Sequence, residues 1–577
     1  MLSFVPIRLD AEDSHADVPV RHAHTLGPES VPLSGEIVAE QGQIRCRRAN
    51  TEAAAIALQV DLGEHELEAV SRVLADHEIT DLPELRPLGS ITLQTCLLPE
   101  RVRPYVLSLE LARHQIMLCL NKLEQWQLFA SAPESILHEL EVARHLFTEA
   151  LVHQPGRDET QWDDSTTQRT ALAALWLAID AGERLALHHA ATQFGPRTRG
   201  EIYAEAASSL GVVPSKGNAP AVLMPDRIGV ASPGRPLLGA AVSPDRFGDA
   251  DKAVLAESAD FIQVPMRWVD MEPNEGSYDF AATDRWIEWA VRVAKLPVAA
   301  GPLVDFRANS TPEWLYIWEN DYETLGELVR EHVKALVTRY RRTVTRWTVV
   351  GGLQVNDNIR LGFEQMLDLS RVAVNIVRKL HPAARVLVEI DQPFGEYHTH
   401  NERSLPPMLF AEMLNQAGVN VDGYGLRVQL GGAASGQGTR DLLAFSDLLD
   451  RYAALERPIS LTAVGCPSNI PPSLQAEKYA AVAPGCWRGE WTEAAQADWL
   501  TAALTIAASK PFIQAVCWQQ VGDRTRRPEM PAGGLVGPEE TPKAAANALR
   551  DIRDALKEGN VPSRIEDATV LSRTASG

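Results

Sequence analysis

Two carboxylates, Glu389 and Asp391, close an apolar run that begins at Arg385. In an extended strand, residues two apart point to the same side, about 7 Å apart along the chain, and crowding of two carboxyls raises the pKa of one of them. Such a pair can supply an acid and a base to one reaction. Arg427, in the next apolar run, Gly423 to Leu430, offers them the opposite use: a guanidinium beside the carboxylates makes an ion-paired plug. Other polar side chains stand at or near the ends of apolar runs in the same half of the chain: Asp245, Gln263, Arg267, Asp305, Gln429, Gln519 and Gln520. His398 and His400, two apart, can hold a metal only with a third ligand from elsewhere, so solvated loop histidines are the simpler reading. The six cysteines contain no Cys-x-x-Cys pair and no zinc-ligand spacing. No metal centre and no cofactor is expected.

The elements that must position these groups follow from periodicity. Apolar runs from Leu237 to Val242, Phe261 to Val264, Pro297 to Val304, Thr345 to Val350, Arg385 to Ile390, Gly423 to Leu430, Pro458 to Val464 and Phe512 to Trp518 alternate with amphipathic helical stretches. Strands joined by helical crossovers make a parallel sheet, and eight close into a barrel whose reactive groups sit at the C-terminal strand ends. Before it, Ile56, Leu58, Val60 and Leu62, then Ile91, Leu93 and Thr95, alternate as strands do. Leu107, Leu111, Leu118 and Trp126 recur at helical spacing after Pro104, and Ile136 to Val152 and Thr167 to Phe194 continue the pattern. The fold class expected is therefore α/β: a (β/α)₈ barrel at 237–556 preceded by a β-rich module at 31–100 and a helical subdomain at 101–211. An irregular tail at 1–30, a linker rich in proline and glycine at 212–236 and a loose tail at 557–577 complete it.

At 577 residues the chain is too long for one core. Hydrophobic content of 45% with 23% charged residues is ordinary globular composition, and no apolar stretch reaches bilayer length. A net charge of −21 repels phosphate backbones and anionic membrane surfaces, so neither nucleic acid nor membrane is an expected partner. The first residues lack the continuous apolar stretch of a secretory signal, and a cytoplasmic protein is expected.

Several motifs in the barrel half resemble those of the family 10 glycoside hydrolases, the xylanase-like barrels. The stretch Trp268, Glu272, Pro273, Gly276, Tyr278, Phe280 and Asp284 is the most specific. Gly239-Ala240-Ala241-Val242, Pro312-x-Trp314, Trp347-x-Val349-Val350, Val421-Asp422-Gly423-Tyr424-Gly425, Trp518 and Pro542-Lys543 follow in the family's order. The resemblance implies a retaining mechanism, in which two carboxyl groups about 5 Å apart serve one anomeric centre. It also places the acid/base at Gly352 and the nucleophile at Ala463, and neither residue has a carboxyl. At the implied sugar-binding positions stand Gln263, Arg267, Arg427 and Gln429, with Trp268, Trp314 and Trp518 near strand ends as sugar-stacking candidates.

Three functions are compatible with these residues. The barrel binds a saccharide or another ligand without the inherited mechanism. Alternatively it remains a glycoside hydrolase through relocated carboxylates, with Glu389, Asp391 and Asp305 as catalytic candidates. Two carboxylates on one strand lie side by side, however, and do not readily flank a sugar ring. In the third, the barrel is a rigid scaffold and the N-terminal region makes protein contacts.

Overall fold

The computed structural model describes residues 2–7, 19–48, 51–153, 165–201, 234–470, 483–523 and 530–565. In the first half the strands are β1 (Leu2–Val5), β2 (His24–Leu26), β3 (Pro32–Leu33), β4 (Glu36–Glu40), β5 (Gln43–Arg47), β6 (Ala55–Leu62), β7 (Gly89–Gln94) and β8 (Tyr105–Val106). The second half contributes β9 (Leu237–Ala241), β10 (Phe261–Val264), β11 (Val298–Ala300), β12 (Val304–Asp305), β13 (Val344–Gly351), β14 (Arg385–Asp391), β15 (Gly423–Gln429), β16 (Ile459–Gly465), β17 (Cys486–Trp487) and β18 (Ile513–Trp518).

Parallel pairing runs β11-β10-β9-β18-β16-β15-β14-β13-β12, and β11 also pairs with β13. That extra pairing closes the sheet. Because β11 and β12 are two pieces of one barrel strand, both docked on β13, the result is a (β/α)₈ barrel with eight strand positions. Its strands are buried on both faces, as crossover helices require. In the helix Phe363–Leu380, for instance, Met366, Leu369, Ala373, Val374 and Val377 form one buried stripe. Ala241, Phe261, Ala299, Ala515 and Cys517 make a separate cluster on the other side of the sheet, inside the barrel.

The first half folds around the second. One sheet, β4-β5-β1-β8, is made entirely of N-terminal strands. The other, β17-β7-β6-β2-β3, takes its edge strand from the barrel segment between β16 and β18. Helix α4 (Ser165–Thr198) packs on the barrel helices Leu442–Tyr452 and Glu493–Ser509, and α1 (Glu64–Asp76), α2 (Leu107–Gln125) and α3 (Glu134–Val152) pack on α4. From Ala171 to Ile179 helix α4 is buried on every side, which a helix tolerates only when enclosed by protein. Cys119, Leu123, Ile136, Leu140, Leu185 and Phe194 join the same hydrophobic core as the barrel helices, so the packing of the helical region is continuous with the barrel.

Two expectations need comment. Residues 1–30 are not uniformly irregular: Leu2 and Phe4 are fully buried in β1, which pairs with β5 and β8, and His24–Leu26 pairs with β6. Strands this short carry no usable alternation, and their partners lie far along the sequence. Most of the 212–236 linker lies outside the described residues. Among those residues, no helix is long and apolar enough to cross a membrane.

Buried charges fasten the halves. Glu183 of α4 accepts hydrogen bonds from the Trp487 indole (2.7 Å), the Leu442 amide (3.0 Å) and the Arg488 guanidinium (2.6 and 2.8 Å), while Asp180 takes another Arg488 nitrogen at 2.6 Å. Lys122 of α2 bridges Asp447 and Asp450 at 3.0 and 2.8 Å, and Lys510 reaches Asp450 at 2.7 Å. Removing one partner of such a buried set leaves the others uncompensated. Glu183→Ala is expected to lower the unfolding free energy by about 3–5 kcal/mol, read as a fall in the urea midpoint; an unchanged midpoint would show that the clamp contributes nothing.

Candidate functional site

At the C-terminal end of the barrel, three carboxylates and two guanidiniums form a chain of ion pairs. Asp305, the last residue of β12, is 1% exposed and holds Arg307 in a fork, Nε to Oδ1 at 2.9 Å and Nη2 to Oδ2 at 2.5 Å. Ser310 Oγ and the Arg307 amide also donate to Asp305, at 2.7 and 3.0 Å. Arg307 Nη1 then lies 3.6 Å from Asp391 Oδ2, and Arg427 Nε 3.8 Å from Asp391 Oδ1. The chain ends with Arg427 Nη1 at 4.0 Å from Glu389 Oε1. Register explains the convergence, since β14 and β15 place Asp391 directly opposite Arg427.

Charge and burial set the protonation tendencies. Burial pushes the Glu389 carboxyl above the ordinary glutamate range; Arg427, Arg307 and a hydrogen bond from Thr462 oppose the shift without cancelling it. For Asp305 burial acts in the same direction, but the Arg307 fork and the Ser310 hydroxyl outweigh it and hold the carboxyl below its usual value. Burial and the neighbouring Arg307 lower the Arg427 guanidinium. Asp357, at the rim, is raised by desolvation and by Asp391 and Asp305.

Above this network is a cavity of about 240 Å³ bounded by Arg307, Asp357, Asp391, Arg427, Gln429 and the loop Ala434–Gln437. Its lining mixes these polar groups with apolar surface from Ala308, Val355 and Ala434 and contains no aromatic ring. Gln429 donates to Gln519 at 2.7 Å and accepts from Gln437 at 3.4 Å, which ties the ends of β15 and β18 to that loop.

The positions that lack carboxyls lie against the network. Gly351 is in register with Glu389, and Gly352 donates its amide to the Glu389 carbonyl at 3.4 Å. Gly352 has φ +65°, and a Cβ there would stand 3.3 Å from the Asp391 Cβ and 3.4 Å from its Oδ2. Ala463, 3% exposed, is opposite Arg427 on β16. Asp391 thus crowds the first place, and Arg427 is the strand neighbour of the second.

Other sequence candidates are placed differently. Gln263 donates to the Gly301 carbonyl at 3.0 Å, and Arg267 pairs with Asp270 at 2.6 Å; neither lines the cavity. Trp268 is 1% exposed, stacked on His332 at 4.1 Å and bonded through its indole N–H to Glu272 at 2.9 Å. Trp518 is fully buried and donates to the Gly533 carbonyl at 3.0 Å. The expectation that these two rings serve as sugar platforms is corrected: both faces are covered and both N–H groups are used. Trp314, half-buried, donates to the Glu272 carbonyl at 3.0 Å. His398 faces Ser404 and His400 faces the Ala23 carbonyl, so the pair does not converge. Arg307, Asp357 and Gln437 escaped sequence reasoning, although Arg307 follows Asp305 at the same two-residue spacing that drew attention to Glu389 and Asp391.

Residues 230–549, more than half the chain, match the family model described as glycosyl hydrolase family 10. The chain belongs to glycosyl hydrolase family 10. Its family 10 region is similar to endo-1,4-beta-xylanase 2 of Aureobasidium pullulans, 22% identical over 271 residues that cover 44% of this chain and 73% of the relative. An endo-1,4-beta-xylanase of Agaricus bisporus is 24% identical over 270 residues, 44% of this chain and 76% of the relative. Among solved structures, native xylanase 10B of Thermotoga maritima covers 56% of this chain and 97% of its own, with 18% identity and a TM-score of 0.42.

The buried acid of this family 10 barrel leaves a mark on stability. A carboxyl whose folded pKa is raised contributes stability that is complete below its unfolded pKa and is lost as pH rises through the folded value. Relative to Glu389→Gln, which never ionises, the wild type is therefore expected to lose stability from about pH 4 upward, measured as urea midpoints of both proteins across a pH series. A gap that stays constant with pH would show that Glu389 titrates normally.

Proposed function

We propose that the barrel mouth binds a short saccharide without cleaving it by the family's retaining route. One observation carries this reading: the two positions at which the resemblance expects catalytic carboxyls are Gly352 and Ala463, with Asp391 close to where a side chain at 352 would begin and Arg427 in register opposite 463. Asp305 is held in the Arg307 fork, Asp391 lies between Arg307 and Arg427, and burial favours the neutral form of Glu389, so none is a free nucleophile. What the cavity offers is a set of amide, guanidinium and carboxylate groups suited to hydroxyls. Its volume suits one or two sugar rings rather than a long chain. The relatives named above are xylanases, and xylose oligomers are accordingly the first ligands to try.

A second reading, hydrolysis through relocated carboxylates, draws on one feature: Asp357 and Asp391 border the same cavity, and Asp357 is raised. Two carboxyls on one cavity can in principle supply an acid and a base. The binding reading is favoured because Asp391 is held between two arginines.

The two separate experimentally. Pure protein is expected to release no reducing ends from xylan, while calorimetry detects xylobiose or xylotriose binding that Arg427→Met weakens by about tenfold or more, the loss of a charged hydrogen bond. Turnover abolished by Asp391→Asn would establish the hydrolase instead, and absence of both binding and turnover would refute the proposal. Restoring carboxyls with Gly352→Glu and Ala463→Glu together is expected to leave xylan intact, because the side chain at 352 must adopt a left-handed backbone against Asp391.

A further inference from the structure

The cavity wall at Ala434–Gln437 is built from a loop that the barrel alone does not hold. Beneath it lies Glu396, 5% exposed, at the start of the short helix Glu396–Thr399 that follows β14. Its Oε2 accepts the Gly436 amide at 3.2 Å, and its Oε1 accepts Arg440 Nη2 at 2.6 Å. The same Oε2 is 3.6 Å from Nδ1 of His22, a residue of the N-terminal half. His22 in turn reaches through Nε2 to the Ala483 carbonyl at 2.8 Å, in the segment after β16. One buried carboxylate therefore joins the loops after β14 and β15 to the N-terminal segment that leads into β2.

The N-terminal sheet that contains β2 repeats the connection. Thr92 of β7 donates its amide to the Thr439 carbonyl at 2.7 Å, and Thr25 of β2 donates its amide to Thr399 Oγ1 at 3.2 Å. Thr399 Oγ1 donates onward to the Leu33 carbonyl of β3 at 3.0 Å. The loop has little freedom to compensate. Gly436 has φ +76°, and a Cβ there would lie 2.4 Å from Gln392, another cavity residue; a Cβ at Gly438 would lie 2.8 Å from Thr92 Oγ1.

We infer that Glu396 is a positioning residue for the mouth: it fixes the Gly436 wall and couples it to the N-terminal sheet through His22, making that sheet part of the ligand site. The effect on ligand rests on the proposed function; the coupling itself does not. Burial favours the neutral acid, but Arg440 and His22 outweigh it and keep Glu396 charged, as the latch requires.

Hydrogen exchange followed by mass spectrometry on the full chain tests the coupling without any ligand. In Glu396→Gln, amides of residues 430–441 and 19–26 are expected to exchange about tenfold faster or more than in wild type, while strand β13 exchanges as before and Glu396→Asp recovers part of the protection. Unchanged exchange at 430–441, or a rise spread evenly over the chain, would overturn the inference. Should Glu396→Gln fail to fold, Arg440→Lys, which keeps the charge but loses the reach, reads the same segments. Calorimetry with xylotriose is the second arm. Loosened segments with wild-type affinity would overturn the role in binding, whereas loosened segments in a protein that binds no saccharide even as wild type would overturn the proposed function and leave the coupling standing.

Discussion

Charges removed from water must be compensated, and the barrel mouth is organised around that requirement. Desolvating three carboxylates without partners is prohibitive; interleaving two guanidiniums makes the arrangement tolerable. The consequence is chemical as much as structural. A carboxylate gripped by arginine is a weak nucleophile and a poor base, so the pairing that permits burial also quiets the groups. Asp305, Asp391 and Glu389 are best understood as a single interlocked unit with Arg307 and Arg427, in which altering one member changes the electrostatics of all.

The same logic recurs beneath the mouth and away from it. Glu183 with Arg488, Asp450 with two lysines, and Glu396 with Arg440 are each buried, and each joins parts of the chain far apart in sequence. Hydrophobic packing alone tolerates small shifts between a helix layer and a barrel, whereas directional ion pairs do not. The halves of this molecule share a core and are pinned in one mutual orientation by a few charged contacts.

The barrel was legible in the sequence because its strands are apolar runs long enough to stand apart from the helices between them. Observed strand ends fall close to the expected ones, and the third run differs only in being split around residues 301–303. The adjacency of Arg427 to Asp391 was also readable, since neighbouring parallel strands fix which residues face each other. What could not be read were contacts without a local period: Leu2–Val5, a strand only because distant residues pair with it; Arg307, whose role depends on how the chain turns after β12; and Glu396, an acidic loop residue whose burial comes from the other half of the molecule. Trp268 and Trp518 misled for a related reason. An aromatic ring near a strand end serves equally as platform or as packing, and only the three-dimensional cover decides.

The pairing of β7 with β17 has a bearing on biosynthesis. Ser90 and Cys486, whose strands lie side by side, are separated by 396 positions. Until the ribosome has delivered the segment around Cys486, the early sheet has an open edge with unsatisfied backbone groups, a surface prone to mispairing with other chains. The nascent N-terminal half thus waits, incompletely paired, for a two-residue strand made almost four hundred residues later, and its docking closes a loop of that length.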